Sequence, residues 1–162
     1  MKLEVIPKHP QTKTHSTPLL LVHGAWHGAW SWENFLPYFA EQGYEVHALS
    51  LRGHGNSEGR DGIRWYSTSN YIADVAQVVR SLRPSPVLIA HSMGGYVVQK
   101  YLESHNAPAG VLLTSAPTTG IIGFLLRWLR RHPASTLRAL AVAQHMVFCL
   151  HPCIGKRCLL FR

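Results

Sequence analysis

Acidic residues are scarce in this chain and absent from its C-terminal part. Sixteen lysines and arginines stand against eight aspartates and glutamates, a formal net charge of +8, and no acid follows Glu103. Seven of the basic residues fall after position 120, so the imbalance is local. Charge asymmetry of this kind can mark a surface for nucleic acid or anionic lipid. Here the basic residues are not interleaved with a nucleic-acid motif, so no nucleic-acid partner is expected. The plainer reading is that a balancing acidic part of the chain is absent.

Long apolar runs are also missing. No stretch reaches the roughly 18 consecutive apolar residues of a membrane span. The N-terminus, Met1-Lys2-Leu3-Glu4-Val5-Ile6-Pro7, has no apolar core of the kind that marks a secretory signal. Cysteine is rare: Cys149, Cys153 and Cys158 all lie within the last fourteen residues. With His151 among them they could evoke a metal site, but the close Cys-x-x-Cys pairs typical of zinc are lacking. They read as small apolar residues of a cytoplasmic protein, and neither a metal nor a cofactor is expected.

What is present belongs to a folded chain. Of the 162 residues, 46% are hydrophobic and only 15% are charged, which excludes the composition of disorder. Strand and helix patterns alternate up to about residue 116. Leu3–Ile6 is a short edge-strand candidate. Leu19–Val22 is an apolar run between Pro18 and His23-Gly24, the pattern of a strand buried on both faces. Trp30–Gln42 shows helical spacing and stops at Gly43. Tyr44–Leu51 is the next strand, and residues 52–61 form a loop with three glycines. Ser69–Leu82 reads as a helix, Val87–Ala90 as a short buried strand, the stretch to Leu102 as a helix, and Ala109–Thr114 as a further buried strand. Strands separated by helices of this length imply a mostly parallel sheet with helices on its faces, an α/β fold. After Pro117 the pattern turns helical, over 120–131 and 134–150, with no further strand. The chain thus divides into a core over 1–119 and a helical segment over 120–162.

The segment Ala90-His91-Ser92-Met93-Gly94-Gly95 lies between a strand and a helix. A serine on such a turn needs small neighbours, because the backbone reverses sharply there. The turn exposes the Ser92 hydroxyl and aims the Met93 N–H at a developing oxyanion. A serine that only caps the helix is the structural alternative. A second oxyanion donor comes from the loop after an earlier strand, here His23-Gly24-Ala25-Trp26-His27-Gly28-Ala29-Trp30, with the Ala25 N–H as the candidate. His23, Gly24, Trp26 and His91 are the candidate pocket-lining residues.

These two segments, together with Arg52-Gly53-His54-Gly55-Asn56-Ser57, resemble the α/β-hydrolase superfamily over residues 3–116. The His-Gly-Ala-Trp and Ala-His-Ser-Met-Gly-Gly versions are similar to those of esterase and lipase-like members, and the segment from about 120 resembles the helical cap of many members. The resemblance implies an α/β-hydrolase fold, a Ser92 nucleophile and a small apolar ester or lipid-like substrate. It also implies an acid and then a histidine after the nucleophile in chain order. No carboxylate follows Glu103, and Glu103 lies eleven positions from Ser92, about 16 Å along a helix at ~1.5 Å per residue. His132, His145 and His151 sit in the cap-like segment and read as packing or surface residues. The expectation is therefore a chain that stops within the cap, a truncated hydrolase, with a non-catalytic protein that binds a small ligand or partner as the alternative. Phe124–Arg131 is amphipathic and basic, readable as the underside of a lid or as a weak peripheral membrane contact.

Overall fold

The computed structural model describes residues 1–118 and 121–131. Five strands form one sheet: β1 Val5–Lys8, β2 Leu19–Val22, β3 Val46–Leu49, β4 Val87–His91 and β5 Gly110–Leu113. Their spatial order is β1-β3-β2-β4-β5, with β1 antiparallel to β3 and the other pairs parallel. The helices are α1 Phe35–Glu41, α2 Thr68–Ser81, α3 Met93–Leu102 and α4 Ile121–Arg131. Met1–Thr118 forms one compact unit, and α4 belongs to a second.

Alternation along β2 divides the core in two. Leu20 and Val22 join Leu49, Leu88 and Ala90 beneath α2 and α3. Leu19 and Leu21 join Val46, Ala48 and Ile89 beneath Ala29, Trp32 and Leu36. Successive strand residues point to opposite faces, so an unbroken apolar run is what a strand covered on both sides requires. All four β2 residues are buried.

Several elements depart from the expected spans for local reasons. The helix expected over Trp30–Gln42 is two pieces, a 3-10 turn Ala29–Trp32 and then α1. Pro37 has no N–H to give and its ring clashes with the preceding turn, so a helix can hold it only in its first turn. β1 begins at Val5, because the Glu4 N–H turns away to the Ser57 hydroxyl at 2.8 Å. β3 ends at Leu49, and the Leu51 N–H instead meets the His23 ring at 3.0 Å. β5 was expected to be buried, yet all four of its residues are exposed. Among the described residues it is one edge of the sheet, and β4 is its sole strand neighbour. The helix expected over 134–150, the three cysteines, and His132, His145 and His151 lie outside the described residues.

One buried ion pair fixes the loop that follows β3. Asp74 on α2 is fully buried and accepts from the Arg52 backbone N–H at 2.9 Å and from its guanidinium at 2.7–3.0 Å. The Arg52 guanidinium also lies 5.4 Å from the centre of the Tyr66 ring. Removing one member of such a pair leaves the other's charge buried and uncompensated. Asp74→Ala is expected to destabilise the fold by about 3 kcal/mol or more, read as a lower urea midpoint. An unchanged midpoint would contradict the role assigned to this pair.

Candidate active site

The end of β4 runs directly into α3, and the joint is Ser92. Its backbone has φ +52° and ψ −116°, a conformation that side-chain-bearing residues rarely adopt. Strain of this kind costs about 1–3 kcal/mol and persists only where neighbours hold it. Three backbone hydrogen bonds do so. The Ser92 N–H donates to Leu113 O at 3.0 Å, while Ser92 O accepts from Tyr96 N at 3.2 Å and Ala116 N at 3.1 Å. The Ser92 hydroxyl makes no capping bond to α3, although the residue occupies the N-cap position. The capping alternative is therefore not what the geometry shows.

Close packing makes the turn possible. A methyl group on Gly94 would run into the Val22 carbonyl at 2.6 Å and into the carbonyl of His23. Both are main-chain atoms, one at the end of β2 and one just after it, so there is no flexible side chain to yield. A methyl on Gly24 would lie 3.1 Å from Ser92 Cβ and 2.9 Å from His91 Nδ1. The loop after β2 therefore abuts the serine, and Met93 begins α3 beside it.

The remaining predicted residues separate by environment. Ala25 and His91 are half-buried. Trp26, with φ +61°, is 88% exposed. His23 behaves differently from the pocket wall expected of it. Its ring is fully buried, its Nε2 accepts from Leu51 N–H, and its Nδ1 lies 2.7 Å from Gly24 O. A carbonyl only accepts, so Nδ1 carries the proton and the ring is neutral. Burial pushes its pKa down to about 4, against a smaller upward pull from the bond to Gly24 O. His23 thus ties the ends of β2 and β3 together and offers no free nitrogen. His54 is also buried, with Nδ1 3.0 Å from Arg52 O. Glu103 ends α3 and pairs outward with Lys100 at 2.8 Å.

Other supports were not legible as site residues. The buried Ser50 hydroxyl accepts from Ala29 N–H at 2.7 Å and donates to Glu4 at 2.6 Å. Burial pushes the Glu4 carboxyl up, but hydrogen bonds from Ser50 and Asn56 outweigh it and hold the pKa below its usual value. Glu4, on the way into β1, thereby braces the loop that carries Ala25. Gln99, one helical turn after Gly95, reaches Ser115 Oγ at 2.5 Å and Ala116 O at 3.3 Å. It ties α3 to the segment that holds Ser92 O. His27, two residues after Ala25, places Nδ1 2.7 Å from Ala25 O. Its neighbours in sequence gave no signal of this bond.

Residues 19–152 match the model of the alpha/beta hydrolase family. The chain belongs to that family. Among curated members it is 34% identical over 107 residues to a non-heme chloroperoxidase of Burkholderia pyrrocinia, covering 62% of this chain and 37% of that one. It is 36% identical over 87 residues to methyl jasmonate esterase 1 of Vitis vinifera, covering 52% of this chain and 33% of the relative. A solved structure from a study of carboxylesterases of the thaumarchaeon Nitrososphaera gargenis shares the fold, with a TM-score of 0.64 at 22% identity, over 79% of this chain and 47% of the other. The aligned region thus amounts to about a third of the curated relatives' length. Among the described residues, no helix of this alpha/beta hydrolase is long and apolar enough to cross a membrane.

The neutral state of His23 carries a pH signature. In the unfolded chain His23 protonates near 6.5, while in the folded chain it resists protonation until about 4. The unfolded state binds more protons in that window, so the stabilisation is complete above pH 6.5 and is lost as pH falls toward 4. The loss amounts to about 3 kcal/mol. Urea midpoints measured from pH 7 to 4 are expected to fall, and His23→Gln to flatten that part of the decline. An identical decline in the variant would contradict the assignment.

Proposed function

We propose that this chain carries the nucleophile and oxyanion half of a serine hydrolase acting on carboxylic esters or lipids. Ser92 Oγ would attack the substrate carbonyl, and the N–H groups of Ala25 and Met93 would receive the oxyanion. Collapse of the tetrahedral species expels the alcohol, and water then releases the acid and restores the serine. The observation that carries this reading is the strained Ser92 backbone with an uncapped hydroxyl, packed against the Gly24 loop. Family membership and the esterase among the relatives support an ester substrate. The half-buried Met93, next to the serine in sequence, is an apolar neighbour that favours the same class.

A base must take the Ser92 proton, and we assign that role to no side chain here. His23 has both nitrogens engaged, and no carboxylate follows Glu103 to orient another histidine. That gap favours a second reading, in which the chain by itself binds a small apolar ligand or partner and does not turn over. A fluorophosphonate probe separates the two, because it reacts with activated serines and leaves a stable adduct. The catalytic reading expects one label, mapped to Ser92 by mass spectrometry and abolished in Ser92→Ala. Folded protein that takes no label would overturn it in favour of binding.

A further inference from the structure

We propose that α4 is a docking surface for an anionic phospholipid membrane, independent of any chemistry at Ser92. At 100° per residue, positions 121, 122, 124, 125, 126, 128 and 129, all apolar, fall within one arc of about 200°. Gly123, Arg127, Arg130 and Arg131 occupy the opposite arc. Two of the apolar residues, Leu126 and Leu129, are 58% and 44% exposed. Acids three or four residues away would pair with such a basic face. α4 has none, and the sequence supplies no acid anywhere after Glu103. The charge is therefore uncompensated along its own segment, and its complement is an anionic surface.

Gly123 adds a second, independent observation. A glycine inside a helix costs about 1 kcal/mol relative to alanine. Nothing lies within 4 Å of where its Cβ would stand, so packing does not demand it. Gly123 lines a groove of about 650 Å³ together with Leu126, Arg127, Arg130 and Arg131. The groove sets three arginines beside the apolar Leu126, and a phospholipid presents the matching pair in its phosphate and upper acyl chain. Guanidinium forks bind phosphate oxygens in pairs, and arginine stems lie along apolar surface while their heads stay at the charged level. A helix with this division lies in the membrane interface, its apolar arc among acyl chains and its arginines among phosphates.

The test is flotation of the full 162-residue chain with vesicles of phosphatidylcholine alone and of phosphatidylcholine mixed with phosphatidylserine. The chain is expected to float with the anionic vesicles, to be released by salt, and not to float with the neutral ones. Arg127→Gln with Arg130→Gln should lower partitioning about 25-fold, at roughly fivefold per arginine near an anionic surface. Glutamine is a good helix former, and circular dichroism checks that the fold is kept. The corresponding lysine pair should retain binding. Equal flotation with neutral vesicles, no flotation with either, or an unaltered glutamine pair would each overturn the proposal. Displacement by inorganic phosphate at the ionic strength of a chloride control would also overturn it, by assigning the groove to the free anion.

Discussion

The left-handed backbone of Ser92 is the constraint around which the described structure is organised. A non-glycine residue at φ +52° and ψ −116° is unfavourable in isolation, by about 1–3 kcal/mol. Its three backbone hydrogen bonds, each worth about 1 kcal/mol net, are enough to offset that. Two of them come from β5 and the segment after it, through Leu113 O and Ala116 N. An exposed strand is therefore part of what holds the Ser92 turn.

The loop after β2 is held just as firmly from its other side. His23 anchors its first residue through Leu51 N–H and Gly24 O, and Ser50 anchors its exit through Ala29 N–H. Glu4 and Asn56 extend the bracing to the N-terminal strand and to the glycine-rich loop after β3. The Arg52–Asp74 pair fixes the start of that glycine-rich loop on α2. Each bond satisfies a buried polar group that would otherwise be costly, and together they leave the loop after β2 little freedom. Rigid placement of donors is what electrostatic stabilisation of a developing oxyanion requires.

Much of this was legible in the sequence where local signals coincide. Pro18 and Gly24 bracket β2, and its unbroken Leu-Leu-Leu-Val predicts burial on both faces. The boundaries of α2 agree within one residue of the expected Ser69–Leu82. Ser92 stood out because a strand, a glycine pair and a helix meet there. The misses have equally specific causes. Pro37 outweighed the helical periodicity around it, a conflict that spacing alone conceals. The composition of β5 is that of a buried strand, but its place at the edge of the sheet is set by chain topology. His23 and Asp74 bond to residues 28 and 22 positions away, and no local pattern encodes such partners. The absence of acids after Glu103 is likewise legible in the sequence alone.

The central claim is geometric: the strained turn presents Ser92 to donors from two loops at once. A crystal structure of the phosphonylated chain tests it most directly. The account predicts the phosphonyl oxygen about 2.7–3.1 Å from both the Ala25 and Met93 nitrogens, with Ser92 still at positive φ. An adduct whose oxygen points to solvent, or a Ser92 relaxed to ordinary helical dihedrals, would contradict it.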